Sequence, residues 1–122
     1  MIAISNYNKQ IVYPSSNEEL VLHLYERAIV CLWEGHTALE NDKKIFSIAP
    51  LQHVRSIISA LLEALDHSKE QSLTTNLHHL YIWLLKEISR AGFDGDADRL
   101  QKSILVVENL YEGFQEAFSS KK

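Results

Sequence analysis

The chain has 122 residues, of which 46% are hydrophobic and 23% are charged, and its formal net charge is −4. This length predicts one domain, residues 1–122, that is large enough for a hydrophobic core of its own. The acidic balance and the scattered lysines and arginines exclude nucleic acid as an expected partner, because binding to phosphates needs clustered basic residues.

The first thirteen residues show no clean strand pattern. Ile4, Tyr7 and Ile11 recur at i, i+3 and i+7, so they can share one face of a helix. A helix this short and without a cap is marginal in water by itself. We therefore interpret residues 1–13 as an N-terminal arm or short helix that needs a docking surface. Pro14 ends it and begins a turn.

The first long helix is predicted over residues 17–41, and it is unusually apolar. Glu18 and Glu19 lie in its first turn, where acidic side chains favour the helix dipole. Eleven of the fourteen residues in Leu20–Trp33 are apolar, which leaves about 260° of the helix surface apolar. A surface helix normally shows an apolar stripe only a little wider than about 100°. One apolar face should line the core, and the other needs a separate cover.

Three further helices are predicted over residues 47–67, 72–91 and 96–118. Each carries large apolar residues at three- and four-residue steps, which indicates one buried face. The helix over 72–91 also has apolar side chains beyond that face, at Tyr81, Trp83 and Leu85. Four helices of about twenty residues joined by short turns must run antiparallel. The predicted fold is therefore all-α, an up-down four-helix bundle with a short N-terminal arm or helix.

No residue pattern in the sequence indicates catalysis, a cofactor or a metal site. Di-iron bundles need Glu-x-x-His on two helices, and this motif does not occur. His78 and His79 are neighbours on a helix, so they point about 100° apart and cannot hold one ion together. The sequence also lacks a Gly-rich phosphate loop and a nucleophile elbow. We expect a protein that is not an enzyme and binds no cofactor.

The sequence also predicts where in the cell the protein is located. Its longest apolar runs, Ala28–Trp33 and Tyr81–Leu85, are far shorter than the ~20 residues that span a bilayer, so no membrane insertion is expected. The first ten residues lack the basic and apolar regions of a signal peptide. Cys31 is the single cysteine, which excludes an intrachain disulfide and is typical of a reducing cytoplasm.

The apolar residues in excess on the helices over 17–41 and 72–91 have three candidate covers. These are the chain's own arm, a second copy of the chain, and an amphipathic segment of another protein. A remaining alternative is that a tight bundle simply has wide core stripes, in which case no apolar surface is left over.

The order of these residues resembles the flagellar export chaperone FliS. The segment Glu18–Ile29 (EELVLHLYERAI) is similar to the family's E-x-L-I-x-x-L-Y-D-G-A-I, with Arg27 in place of the usual glycine. Asn76–Trp83 (NLHHLYIW) is similar to N-L-x-x-L-Y-x-Y. Gly92 and Phe114 stand where the family usually has asparagine and tryptophan. The resemblance covers nearly the whole chain.

This resemblance implies a cytoplasmic, non-enzymatic chaperone that binds the C-terminal region of flagellin in apolar grooves. Such a chaperone prevents premature polymerisation and keeps the subunit fit for type III export. In the family the N-terminal segment can occupy a groove as a lid when the client is absent. The partner-binding residues that we expect on the lid and beside the grooves of the first and third helices are Tyr7, Ile11, Leu20, Leu24, Tyr25, Leu77, Leu80, Tyr81 and Leu84. The alternative is a helical bundle whose surplus apolar face forms a homodimer or another protein-interaction surface.

Overall fold

The computed structural model describes residues 12–68 and 71–119. Within these residues the chain forms a short 3-10 turn, Ser15–Asn17, and four long helices. The helices are α1 (Glu18–Glu40), α2 (Lys44–Glu63), α3 (Gln71–Asp94) and α4 (Ala97–Ser119). The described residues contain no strand. The predicted all-α fold is confirmed.

The helices are neighbours around the bundle in their order along the chain. α1 packs against α2 and α4, and α3 packs against α2 and α4, so α1 and α3 lie diagonally opposite each other. Since consecutive helices run antiparallel, the α1–α2 and α3–α4 turns lie at the same end, which we call the double-turn end. The other end, which we call the loop end, holds the start of α1, the α2–α3 loop and the end of α4.

The helix bounds differ from the predicted ones most clearly in α2. This helix begins at Lys44 instead of residue 47 and ends at Glu63 instead of residue 67. Pro50 therefore lies inside the helix and not in its first turn, so one backbone hydrogen bond is missing there. By length and composition α2 is long and apolar enough to cross a bilayer, a property that core helices of soluble proteins share. Its face from Ser47 to Leu61 is buried in the bundle.

The end of α3 is set by Gly95 and not by Gly92. Gly95 adopts the left-handed conformation, with φ of 69°, and the N–H of Asp96 donates to the C=O of Ala91 at 2.9 Å. This is the hydrogen bond of a Schellman cap, which needs a residue that tolerates positive φ. Asp96 then begins α4, because its Oδ1 accepts the N–H of Arg99 at 3.0 Å.

Close packing of α1 against α2 depends on Gly35. A Cβ atom at Gly35 would lie 2.5 Å from Cδ2 of Leu51, which is itself buried in the core. Leu51 also lies near Gly92 of α3, where a Cβ atom would be 3.2 Å from its Cδ1. The side chain of Leu51 therefore fills the space between two glycines on different helices.

We expect Gly35→Ala to lower the free energy of unfolding by about 1 kcal/mol or more. Forcing a methyl group against a packed leucine costs about 1–3 kcal/mol, which exceeds the gain of up to about 1 kcal/mol from replacing a helical glycine. Gly113→Ala is the matched control, because Gly113 is a partly exposed glycine in the interior of α4. It should stabilise the protein by about 0.5–1 kcal/mol. Urea denaturation measures both, and a stabilising Gly35→Ala would contradict the packing argument.

Candidate protein-binding surfaces

The structure divides the predicted partner-binding residues between the surface and the core. Tyr7 and Ile11 lie outside the described residues. Leu20 is 56% exposed, whereas Leu24 and Leu80 are half-buried against the core. The other four are fully buried, namely Tyr25, Leu77, Tyr81 and Leu84. Of the seven predicted partner-binding residues that the structure describes, Leu20, Leu24 and Leu80 offer surface to a partner. Because α1 and α3 are diagonal, no single groove lies between them.

Three tyrosine hydroxyl groups meet in the centre of the bundle. Tyr25 of α1 and Tyr81 of α3 lie 2.6 Å apart, oxygen to oxygen. The hydroxyl of Tyr13 lies 2.9 Å from that of Tyr81 and donates to the C=O of Leu61 in α2 at 2.9 Å. The side chains of all three tyrosines are inaccessible to solvent. This tyrosine cluster links the N-terminal segment to three of the four helices.

Each hydroxyl group has one proton, and this fixes which group donates in each hydrogen bond of the tyrosine cluster. A carbonyl only accepts, so the single proton of Tyr13 is used on Leu61. Tyr81 must then donate to Tyr13, and Tyr25 must donate to Tyr81. Every hydroxyl proton has an acceptor, and the chain ends on a carbonyl in the last turn of α2, where helical carbonyls lack intrahelical partners. Such a chain is self-reinforcing, since each bond polarises the next.

Burial keeps the three phenols neutral. Desolvation raises the pKa of Tyr81 to about 12, and it raises the pKa values of Tyr13 and Tyr25 well above the usual range. The neighbouring hydroxyls add to the rise at Tyr13 and Tyr25, because two adjacent phenolates would repel each other.

Tyr13 is held at the loop end by its neighbours as well as by its hydroxyl. The C=O of Val12 accepts the N–H of Asp66 at 2.9 Å, and the Tyr13 ring meets Phe114 edge-on at 5.6 Å between centroids. Val12 and Tyr13 are both buried. The last two residues of the predicted arm thus belong to the core, and residues 1–11 lie outside the described residues.

A large apolar surface lies where the sequence analysis placed a turn. Ile45, Phe46 and Ile48 at the start of α2 each have more than half of their surface exposed, as does Phe93 at the end of α3. Ile45 and Phe46 lie outside the helix predicted over residues 47–67, because α2 begins at Lys44. The sequence itself indicated an apolar surface here, since three bulky apolar residues within four positions are unusual in a solvated turn.

A second exposed apolar surface lies on α1. Val30 and Trp33 are exposed and border a shallow depression of about 590 Å³ with Glu34. The indole N–H of Trp33 donates to Oε2 of Glu108 on α4 at 3.1 Å, so the ring spans the α1/α4 seam. This surface confirms that α1 carries apolar residues beyond those in the core.

The described residues include no group of three or more His, Cys, Asp or Glu side chains suited to a metal ion. Cys31 is buried, and its Sγ lies 3.6 Å from Nδ1 of His53. Burial raises the pKa of the Cys31 thiol, which makes it less nucleophilic.

Comparison with known families agrees with the resemblance in the sequence. The family model described as flagellar protein FliS matches residues 1–121 of the chain. A comparison with curated proteins finds no match.

The direction of the tyrosine cluster predicts unequal effects of removing each hydroxyl. Tyr25→Phe removes only the terminal donor and should cost about 1 kcal/mol. Tyr13→Phe leaves the Leu61 carbonyl without a donor and the Tyr81 hydroxyl without an acceptor, so it should cost about 2–4 kcal/mol. Urea denaturation of the two variants tests this order. Equal losses, or a larger loss for Tyr25→Phe, would refute the assigned direction.

The raised tyrosine pKa values predict a loss of stability in alkali. Above about pH 10 the unfolded chain loses phenolic protons that the folded protein still holds, so the free energy of unfolding falls as the pH rises towards 12. We expect this decline to be shallower in Tyr81→Phe, which lacks one of the three phenols. Urea denaturation at a series of alkaline pH values gives both slopes. Parallel slopes would show that Tyr81 does not contribute.

Proposed function

The chain belongs to the FliS family of flagellar proteins, whose members are cytosolic export chaperones and not enzymes, and from this premise we propose that it binds the C-terminal segment of flagellin. The segment binds on apolar surfaces of the bundle. Binding prevents premature polymerisation and keeps the subunit ready for type III flagellar secretion.

The observation that carries this proposal is the amount of apolar side chain left exposed in one half of the bundle. The exposed bulky residues on the double-turn half are Val30, Trp33, Ile45, Phe46, Ile48, Trp83, Phe93 and Leu105. Monomeric proteins rarely leave so much apolar surface without a partner. Burying one such side chain fully gains about 1.5–3 kcal/mol, so a client that covers several of them can reach micromolar affinity, about −8 kcal/mol.

Val12 and Tyr13 lie at the loop end of the bundle, so a helical lid formed by residues 1–11 would begin there. Eleven residues span about 16 Å as a helix, whereas α2 is about 30 Å long. A helical lid would therefore lie over the loop-end half of the bundle, where Leu20, Leu24 and Leu80 have exposed or half-buried side chains. We assign the lid and these three residues to the same half, and the double-turn half to the client alone.

Calorimetry with a synthetic peptide of the host's flagellin C-terminus tests the proposal. We expect micromolar binding to the full chain, and tighter binding after deletion of residues 1–11, because a competitor for part of the surface is gone. The deletion must spare Val12 and Tyr13, since removing them would open the core. Tyr7→Ser with Ile11→Ser is the matched variant, which keeps the arm's length and removes its apolar face.

Absence of binding at tens of micromolar peptide would reject flagellin as the client. Unchanged affinity in both arm variants would reject the lid and leave the client assignment intact. Sedimentation of the free protein at several concentrations tests the alternative, in which the apolar face forms a homodimer. A stable dimer without client would favour it.

A further inference from the structure

A groove between α2 and α3 at the double-turn end differs from the other surfaces in charge. It has a volume of about 290 Å³, with Leu51 and Gly92 lining it below Ile48 and Phe93. A second depression, of about 600 Å³, continues from Phe93 along α3 to Leu85. Ile48 is 59% exposed and Phe93 is 76% exposed. We call the two depressions together the basic groove.

Every ionisable side chain that lines the basic groove is cationic. These side chains are Lys44, Arg55, Lys86 and Arg90. None of the four forms an ion pair within the described residues. Lys44 instead closes one end of the groove, where its Nζ donates to the Phe93 carbonyl and lies 5.4 Å from the Phe93 ring centroid.

This charge runs against that of the whole chain, which is −4. The acidic residues are concentrated on the opposite side of the bundle, where α1 carries five glutamates and one arginine and α4 carries four carboxylates and two cations. In α2 the only acidic residue is the last one, Glu63. The acidic residues of α3 are Glu87, which pairs with Arg99 at 2.9 Å, and Asp94, which does not line the groove. The four cations of the basic groove have no ion-pair partner among the described residues and are available to a docked segment.

We propose that the basic groove binds an amphipathic helix of a protein partner, with acidic residues beside its apolar anchors. The nine residues from Leu85 to Phe93 span about 12 Å, which is just over two helical turns. A docked helix presents anchors at i, i+3 or i+4, and i+7 over that distance. Ile48 and Phe93 supply the apolar contacts, and the four cations meet the flanking carboxylates.

The chain's own ends do not have this chemistry. Residues 1–11 contain one lysine and no acidic residue, and residues 120–122 are Ser-Lys-Lys. A second copy could offer its acidic α1/α4 side, but contact between opposite sides is head-to-tail and generates rings or open chains instead of a two-fold dimer. A separate acidic helix satisfies both the shape and the charge. The inference goes beyond flagellin binding, because it specifies the charge and position of the docked segment whichever protein supplies it.

Two fluorescein-labelled helical peptides of about five turns test this inference with the full chain. Both carry leucines at i, i+4, i+7 and i+11, and the flanking positions are glutamates in one and lysines in the other. Fluorescence anisotropy at low salt should show the acidic peptide binding about tenfold more tightly than its lysine twin. High salt should narrow this difference, because partly exposed charge pairs are screened.

Arg90→Glu should weaken the acidic peptide about tenfold and tighten the lysine peptide, since it reverses a charge in the groove. Arg27→Glu is the matched control: it makes the same change at an exposed site on α1 and should alter affinity less than twofold. Equal binding of the two peptides, no binding at 100-fold excess of protein over label, or equal effects of the two variants would overturn the proposal. So would a dimer that Phe93→Ala abolishes, which would make a second copy the occupant.

Parallel titration of the flagellin peptide separates this inference from the proposed function. Binding of the flagellin peptide without any preference between the designed peptides would refute the basic groove alone. Selective binding of the acidic peptide without flagellin binding would uphold the groove and reject the client.

Discussion

The hydrogen-bonded chain from Tyr25 through Tyr81 and Tyr13 to the Leu61 carbonyl holds the loop end of this bundle together. Three hydroxyls in an apolar interior are stabilising only if each finds a partner, because a buried polar group without one costs about 1–3 kcal/mol. That requirement fixes the relative positions of α1, α2, α3 and the N-terminal segment. It also places Val12 and Tyr13 at the loop end.

The two ends of the bundle consequently differ in how their apolar residues are packed and exposed. At the loop end, Tyr13 and Val12 fill the space between the helices, and the backbone of the α2–α3 loop pairs with Val12. At the double-turn end, Leu51 packs between Gly35 and Gly92, and the apolar residues around it face outward. A carrier that must bind and later release a partner needs such surface without losing its own fold. Placing it away from the tyrosine cluster lets the core stay closed while a client is bound.

The two ends of the bundle differ in packing, whereas its two sides differ in charge. The α1/α4 side is acidic, whereas the grooved α2/α3 side presents unpaired cations beside Ile48 and Phe93. Apolar contacts supply most of the affinity in such surfaces, and complementary charges select the partner and orient it. The combination gives the groove a preference that apolar surface alone would not have.

The sequence by itself determined the fold class, the four helices and the family. Helical periodicity is a local property, and short connections leave antiparallel packing as the only solution. The sequence also showed that α1 carries more apolar residues than one core face requires. Tertiary structure decided which residues those are: Tyr25, Leu77, Tyr81 and Leu84 turn inward, whereas Val30 and Trp33 stay outside. The reason is that a helical pattern defines faces, but only the placement of the neighbouring helices and of Tyr13 decides which faces are covered.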